Sequence, residues 1–348
     1  MLTNRQLLIL QLTVNDFIES AQPVGSRQLS KKPEAPFSPA TIRNEMADLE
    51  ELGFLEKTHT SSGRIPSEKG YRYYVDHLLK PVKLNQEDQH YVRSVFEETF
   101  NESEELIRKS ATILSELTNY TSVLLGPDTS AHTIKQFAIV PLNESKAVAI
   151  IVTDTGQVEN RLFDVPVHLH VNDIEKMVNI LNDRLIGTPL SQLQAKLATE
   201  VYTLLREHIQ EADSLFRSLN QAMAIEQEER LFFAGKMNMM KQPEFHDLNK
   251  VELLFNLMDQ KTPAGIFFDD KVNLPGVQVR IGSENAHDAM EDCSLISATY
   301  GIGEAFAGSI AIIGPKRMDY GRVISVLDAM SIYLSERLTE FEPNRKES

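Results

Sequence analysis

The chain has 348 residues, 42% of them hydrophobic, and a formal net charge of −15 at pH 7. This length and apolar content are typical of a globular protein with two or three domains. The single cysteine, Cys293, excludes an intramolecular disulfide and a zinc site built from several cysteines. No apolar run reaches the length of a membrane span, and the first residues lack a signal-peptide pattern. We therefore expect a cytoplasmic protein without a membrane partner.

Two helices joined by a tight turn are predicted at the start of the chain. Thr3 and Gln6 match a capping box, and the apolar residues that follow recur at helical spacing. Residues 21–25 are typical of a turn, and Ser26 is the predicted cap of a short second helix that carries Arg27. This order is the beginning of a helix-turn-helix pattern.

A third helix follows, and its two faces differ in chemistry. Ser38 is its predicted N-cap, Pro39 suits its first turn, and Gly53 is predicted to end it. One face forms a buried apolar stripe that consists of Ile42, Met46 and Leu49. The opposite face carries two small and two polar side chains: Ala40, Arg43, Asn44 and Ala47.

The polar face of this third helix has the composition of a surface that reads DNA. Small residues allow the backbone to approach the floor of a groove, while arginine and asparagine pair bidentately with guanine and adenine. We therefore predict that Arg43 and Asn44 contact bases. Phosphate contacts that set the register are predicted from three further residues: Arg27, Ser38 and Thr41.

The segment after this helix is interpreted as the wing of a winged helix-turn-helix. Residues 54–57 have the pattern of a short strand, and residues 59–64 form a small polar loop. Glycine allows close backbone approach and arginine can enter a narrow minor groove, which favours a wing that contacts DNA. The predicted contacts are Ser61, Ser62, Gly63 and Arg64. An ordinary solvent-exposed hairpin is the alternative interpretation of this loop.

The distribution of charge is compatible with DNA binding by residues 1–83 despite the acidic total. These residues contain 11 Lys/Arg and 10 Asp/Glu, whereas the rest of the chain contains 24 and 40. An acidic body would repel stray DNA and leave the N-terminal domain as the productive contact, although acidity also serves solubility. Eight basic residues are expected near the groove and its flanking phosphates: Arg27, Lys31, Lys32, Arg43, Lys57, Arg64, Lys69 and Arg72.

The rest of the chain is predicted as a multidomain α+β body. Residues 84–104 have the pattern of a linker helix. Strand patterns in 105–169 and 271–340 suit a GAF-like antiparallel α/β domain that is split by a mainly helical insert, residues 170–270. The last residues, 341–348, are expected to form a flexible tail.

Four parts of this sequence resemble the heat-inducible transcription repressor family HrcA. They are residues 23–27 (PVGSR), 40–50 (ATIRNEMADLE), 59–66 with 70–72 (HTSSGRIP and GYR), and 313–320 (IGPKRMDY). The similarity spans nearly the whole chain in the expected order. It is dense at the N-terminus and thin from about 170 to 270.

The resemblance implies a homodimeric repressor that binds an inverted-repeat operator of chaperone (heat-shock) operons on double-stranded DNA. It also implies that heat inactivates the protein and that the GroEL-type chaperonin reactivates or maintains it. The insert would then be a dimerisation domain. With two-fold symmetry, each protomer would place one recognition helix in one half of the operator.

Small-molecule chemistry is weakly indicated, and we expect neither an enzyme nor a cofactor. Residues 300–304 superficially resemble a glycine-rich phosphate loop but lie between two strands, so a tight hairpin is the better interpretation. His168 and His170 have a spacing that could chelate a metal, but no third ligand is evident. No nucleophilic triad can be assembled around the serines Ser294 and Ser297.

Two rival functions remain open at this point. The GAF-like domain could bind a metabolite that switches the same winged helix; a polar pocket between the strands and the last helix would favour this, whereas an apolar core would oppose it. The winged helix could instead bind a protein, which the face with Arg43 and Asn44 disfavours. The methionine-rich stretch 236–241 is either core filling or a surface for a dimer partner or chaperonin.

Overall fold

The computed structural model describes residues 2–58, 63–80, 82–96, 100, 103–127, 130, 132–166, 171–209, 211–223, 231–259, 264–268, 276–303 and 305–341. It contains helices and several antiparallel sheets in two compact units. The first unit comprises Met1–Gly126 and Arg230–Ser348, and the second comprises Pro127–Glu229. Within the described ranges, no helix is long and apolar enough to cross a membrane.

The first unit begins with the helices α1 (Asn4–Ser20), α2 (Ser26–Leu29) and α3 (Pro39–Glu51). The predicted capping box is present at the start of α1, because Thr3 Oγ1 accepts from Gln6 N at 3.2 Å and Gln6 Oε1 accepts from Thr3 N at 3.0 Å. Ser38 caps α3 as predicted, and its hydroxyl accepts from Thr41 N at 3.1 Å. The sequence therefore fixes where both longer helices begin.

Helix α2 begins differently from its prediction. Ser26 is its first residue, and the cap is Gly25, which makes no side-chain cap hydrogen bond. Gln28 of α2 instead donates to the carboxylate of Asp16 in α1, and Lys32 Nζ lies 2.6 Å from Asp16 Oδ1. These contacts with a largely buried carboxylate, and not a side-chain cap, hold the short helix against α1.

The elements that follow α3 are β1 (Leu55–Lys57), β2 (Arg64–Pro66) and α4 (Glu68–Tyr73), which continues as a wider π turn over Tyr74–Leu78. The two strands pair antiparallel. Gly53 ends α3 with a φ of +78°, as its position predicted. Tyr71 and Tyr74 share one side of this helical stretch, and both are buried in the core, so they pack inward.

A five-stranded antiparallel sheet organises the rest of the first unit. Its spatial order is β7 (Leu231–Ala234), β3 (Thr121–Leu125), β10 (Ala305–Pro315), β9 (Cys293–Ile302) and β8 (Gln278–Ile281). The helices of this unit are α5 (Gln86–Phe96), α6 (Ser103–Thr118), α11 (Leu248–Asp259) and α12 (Tyr320–Phe341). Apolar side chains of α6 and α12 share one core with β9 and β10, while α11 packs against the opposite face of the sheet.

The glycine-rich stretch between β9 and β10 is a tight hairpin, as predicted. Ile302 pairs with Ala305, so only two residues connect the strands. Gly303 has a φ of +60°, which is accessible to glycine without strain. The stretch therefore lacks the strand-to-helix geometry of a phosphate loop.

The second unit has its own sheet and its own core. Its strands in spatial order are β4 (Ile134–Pro141), β5 (Lys146–Thr153) and β6 (Val158–Asp164). Its helices are α7 (Val171–Leu185), α8 (Leu193–Lys196), α9 (Tyr202–His208) and α10 (Ala212–Ala222). Phe137 and Ile151 on the sheet share a buried core with Leu181, Leu205 and Leu215 on the helices.

The predicted domain boundaries need correction. We expected residues 105–169 to belong to the split α/β domain and 170–270 to form the insert. In the described residues, β4–β6 pair only with one another and share their core with helices of the second unit, which runs from Pro127 to Glu229. A strand pattern is a local signal, whereas the choice of pairing partner depends on contacts distant in sequence.

Candidate nucleic-acid interface

The face of α3 opposite its buried stripe is open to solvent. Ile42, Met46 and Leu49 are buried, so the predicted core side of the helix is confirmed. On the other side, Ala40, Arg43 and Asn44 are exposed and Ala47 is half-buried. A helix with a packed side and a polar, small-residue side can enter a groove without losing its own core.

Arg43 and Asn44 are not engaged by the protein itself. In the part of the chain that the structure describes, neither side chain makes a hydrogen bond or an ion pair. Their donors and acceptors are therefore available to an external partner without the loss of an internal contact. This arrangement differs from that of a structural arginine, whose guanidinium is normally held by a carboxylate or a carbonyl.

Ser38 and Thr41 lie together at the N-terminus of α3. Their hydroxyl oxygens are 2.9 Å apart, in addition to the capping bond from Thr41 N. Pro39 has no N–H, and the N–H groups of Thr41 and Ile42 are bonded to Ser38, so it is the positive end of the dipole of this 13-residue helix that favours an anion here. The predicted phosphate contacts thus sit where an anion is favoured.

Four of the eight basic residues predicted near DNA are held by the protein. They are Lys32 with Asp16, Arg64 with Glu50, Lys69 with the carbonyl of Leu52, and Arg72 with Glu284. The other four are exposed and have no ion-pair partner among the described residues: Arg27, Lys31, Arg43 and Lys57. The sequence could not separate these two groups, because the partners of Lys32 and Arg64, and the Glu284 partner of Arg72, are more than a dozen residues away; only Asp76, which also pairs with Arg72, is local.

Gly63 and Arg64 lie at the base of the β1–β2 hairpin, and Ser61 and Ser62 lie outside the described residues. Arg64 pairs with Val24 through its backbone, with N–H···O distances of 2.8 and 2.9 Å. Its Nε and Nη2 lie 2.7 and 2.6 Å from Glu50 Oε2. Arg64 therefore holds the hairpin against both α3 and the turn before α2, a structural role that the sequence did not reveal.

The glycine at position 63 is required by close backbone packing. A Cβ there would lie 2.7 Å from Pro23 Cβ and 2.8 Å from the Pro23 carbonyl carbon. Such distances leave no room for any side chain. The turn before α2 and the hairpin are thus in direct contact at Pro23 and Gly63.

The methionine-rich stretch 236–241 has two interpretations, core filling or a surface for a partner, and its methionines divide between the two. Met239 is buried in the core that covers the outer face of the five-stranded sheet. Met237 and Met240 are 61% and 40% exposed. A substitution at Met239 would therefore act through stability, whereas the other two methionines are the ones accessible to a partner.

The layer between the sheet and α12 is filled by side chains. Ile296 and Ile312 of the sheet and Leu327 and Leu334 of the helix are all buried in one cluster. The phenol of Tyr320 in this layer lies 2.8 Å from Ser294 Oγ, so its polar group is satisfied internally. A metabolite site would need a polar pocket between the strands and the last helix, so a core filled with apolar side chains opposes the metabolite-sensing alternative.

A metal site has no support in the described ranges. No group of three His, Cys, Asp or Glu side chains there could hold an ion. His168 and His170, the pair considered from the sequence, lie outside the described residues. Burial raises the pKa of the Cys293 thiol to about 12, so this cysteine is an inert core residue.

Comparisons with known proteins bear directly on these features. The family model described as "HrcA protein C terminal domain" matches residues 104–324. A protein of Lysinibacillus sphaericus named "Heat-inducible transcription repressor HrcA" is 57% identical over 348 residues, which is 100% of both chains. A protein of the same name from Bacillus pumilus (strain SAFR-032) is 56% identical over 340 residues, covering 97% of this chain and 98% of its own.

A solved structure is also similar over almost the whole length. The crystal structure of a hypothetical protein at 2.2 Å resolution matches 98% of this chain and 100% of its own, with a TM-score of 0.64 and 25% sequence identity. The sequence relatives define the class of protein: transcription repressors, which are not enzymes. The chain belongs to the HrcA family of heat-inducible transcription repressors.

Proposed function

We propose that this protein is a homodimeric transcription repressor that binds an inverted-repeat operator of heat-shock operons through an N-terminal winged helix-turn-helix. The observation that carries the proposal is the exposed face of α3, where Arg43 and Asn44 have no partner among the residues described. Membership of a family whose relatives are named heat-inducible transcription repressors supports the same function.

In this proposal, the N-terminal half of α3 enters the major groove. Arg43 pairs with guanine and Asn44 with adenine, while Ala40 and Ala47 allow the close approach. Arg27, Ser38 and Thr41 contact phosphates and set the register. These roles agree with the exposure of the side chains on this face and with the cap at the start of the helix.

The hairpin completes the interface as the wing, with Ser61 and Ser62 following the backbone of the adjacent minor groove. Gly63, predicted as a third contact, is buried against Pro23 and instead allows the hairpin to pack on the turn before α2. Arg64 supports the wing through Glu50, whose carboxylate lies in the C-terminal half of α3. This ion pair also neutralises an acidic group that would otherwise face the phosphates. Of the 50 Asp/Glu residues, 40 follow residue 83, while Asp48 and Glu51 lie in the C-terminal half of α3, which the proposal keeps away from the bases.

Heat control completes the proposal. A repressor only a few kcal/mol more stable than an inactive form would lose DNA binding over a modest rise in temperature. We propose that the GroEL-type chaperonin returns the inactive form to the active one, and that the second unit with its own core contributes the dimer contact. If operator binding lost on mild heating is not regained with chaperonin and ATP, this control mechanism is wrong.

The division of the basic residues into held and available cations predicts which of them determine how operator binding depends on salt. Lys31→Ala, Arg27→Ala and Lys57→Ala should each lower affinity evenly across operator variants. In a dimer, each change removes two phosphate contacts, so the slope of log K against log salt should flatten by about 1.8. The measurement is operator binding at four or more salt concentrations for each variant.

Lys69→Ala is the matched control for this series. Its ammonium donates to the carbonyl of Leu52 at 2.8 Å and lies 4.5 Å from the ring centre of Phe54. Loss of this lysine should leave the slope within error of the unsubstituted protein. A slope that changes equally in Lys69→Ala and Lys31→Ala would show that the division into held and available cations has no bearing on DNA binding.

The test of two-fold symmetry compares an inverted repeat with a single half-site. A homodimer that places one α3 in each half should bind the full repeat at least about a hundredfold more tightly, because the second contact is intramolecular. Equal affinities for the repeat and the half-site would contradict symmetric binding by a dimer, although DNA binding itself would stand.

A further inference from the structure

The segment 313–320, one of the stretches that resemble the family, has no part in the proposed DNA contact. It forms the end of β10, a turn and the first residue of α12. The turn contains two adjacent cations, Lys316 and Arg317. Both side chains reach the N-terminal helices, although those helices are more than 200 residues away in sequence.

Lys316 binds the first residue of α4. Its Nζ lies 3.0 Å from Glu68 Oε1, and the other carboxylate oxygen of Glu68 accepts from Ser283 Oγ at 2.7 Å and from Ser283 N at 3.3 Å. Burial raises the pKa of Glu68, but the hydrogen bonds from Ser283 and Lys316 outweigh it and the net pKa is lowered. The carboxylate is therefore charged at neutral pH.

The backbone around this carboxylate is shaped to receive it. A Cβ at Gly282 would lie 2.0 Å from Glu68 Oε1, so the carboxylate sits where a side chain would otherwise be. Arg72, one turn further along α4, donates to the carbonyl of Val279 at 2.6 Å and also pairs with Glu284. Helix α4 is thus held from two directions by the segment 279–284 and by Lys316.

Arg317 binds α1 in the same way. Its Nη1 donates to the carbonyl of Ile18 at 3.1 Å, near the end of α1. The rest of the guanidinium is held by Glu244 and by Gln242 Oε1 at 3.2 Å, which belong to the body. The side chain is only 12% exposed, so its position is fixed by both sets of contacts.

We infer that Lys316 and Arg317 are positioning residues for DNA binding: they hold α4 and α1 on the body and so present α3 in one orientation. We call these two residues, with their contacts to Glu68 and to the carbonyl of Ile18, the clamp. Helices α1, α3 and α4 share one core, so an orientation imposed on α1 and α4 is transmitted to α3. This inference rests on the proposed function. In a dimer, the orientation of α3 on its body determines which separation of half-sites can be read by both protomers.

The preference for one separation of half-sites distinguishes a role in orienting α3 from a role in the stability of the fold alone. Neither cation lies on the face of α3 that is proposed to contact DNA, so binding to a single half-site should persist when both are removed. The shared apolar core then holds the N-terminal helices on the body without these polar contacts, so the two copies of α3 in a dimer are less firmly fixed relative to each other. In the variant, the affinity gained by binding both half-sites at once should therefore be lower at the preferred spacing and little changed at the other spacings.

The experiment measures affinity for duplexes that contain the same two half-sites with spacers varied by single base pairs over one helical turn. The unsubstituted protein should prefer one spacing. The double variant Lys316→Ala/Arg317→Ala should lose at least about tenfold affinity at that spacing and show a flat profile, with half-site affinity unchanged. The same optimum and the same discrimination in the double variant would overturn the inference.

Two further variants separate the proposed role from a general loss of folding: a near-isosteric change at the partner of Lys316, and the loss of another cation nearby. Glu68→Gln removes the ion pair with Lys316 but keeps the acceptor for Ser283, and should flatten the profile partly. Arg322→Ala removes a cation of the same helix start that pairs with Asp88 at 3.1 Å, and should leave the profile unchanged. If Arg322→Ala and the double variant have the same profile, Lys316 and Arg317 have no special role.

A readout without DNA separates this inference from the proposed function. Spin labels at the exposed residues Glu51, in α3, and Glu291, just before β9, should give a narrow distance distribution that broadens in the double variant. An unchanged distribution contradicts the clamp even if operator binding is specific. Absence of any operator preference in the unsubstituted protein, together with broadening in the variant, contradicts the proposed function and not the clamp.

Discussion

Arg43→Ala is expected to weaken operator binding by about 1–3 kcal/mol for each half-site and to relax the preference at one base position in each half. Arg43 is exposed on the open face of α3 and has no partner in the described part of the chain, so its removal costs no internal contact. The loss should therefore appear in binding and not in the free energy of unfolding.

The measurement is affinity for the operator and for every single-base variant of one half-site, with Arg43→Ala and the unsubstituted protein side by side. The matched control is Arg322→Ala, which removes an equal charge from the body. A uniform loss across all operator variants would identify Arg43 as a phosphate contact only. An unchanged affinity would show that the open face of α3 is not the DNA-binding surface.

Gly70→Ala is expected to destabilise the N-terminal segment by about 1–3 kcal/mol or more, and to abolish operator binding near the growth temperature. A Cβ at Gly70 would lie 2.1 Å from the carbonyl oxygen of Phe54, a backbone atom that cannot move without displacing β1. Alanine normally gains about 1 kcal/mol over glycine inside a helix. The steric clash has to exceed that gain, and the short distance to a backbone atom indicates that it does.

Gly25→Ala is the control for this substitution. A Cβ at Gly25 would meet nothing within 4 Å, and the φ of this residue is −101°, which alanine adopts without strain. Its stability should stay within about 0.5 kcal/mol of the unsubstituted protein. The measurement is chemical unfolding of the full chain. Equal stability of Gly70→Ala and Gly25→Ala would refute the close approach of Gly70 to the carbonyl of Phe54.

Local signals allowed the N-terminal elements to be predicted from the sequence. A capping box at Thr3, a cap at Ser38 and a left-handed glycine at Gly53 act within a few residues of their own positions. The same holds for the hairpin around Gly303, where the turn residue and the flanking strands are adjacent. The buried stripe of α3 followed from helical periodicity alone.

Contacts distant in sequence could not be predicted in this way. The strands β4–β6 were identified, but their membership of the second unit depends on a core shared with helices about 30 to 80 residues later. The short strand β7 was missed because its four residues lie in a region whose other patterns are helical. Glu50, the partner of Arg64, and Glu284, a partner of Arg72, are likewise absent from any local pattern, so the division of the cations needed the structure.

Binding of the purified protein to an inverted-repeat chaperone operator, compared with a scrambled duplex of the same length and composition at matched salt, tests the central claim most directly. The proposed function predicts a preference of at least about a thousandfold for the operator, as is usual for specific DNA readers. Equal affinity for the two duplexes, with the protein folded and dimeric, would contradict it and would mean that the face with Arg43 and Asn44 binds something other than a DNA sequence.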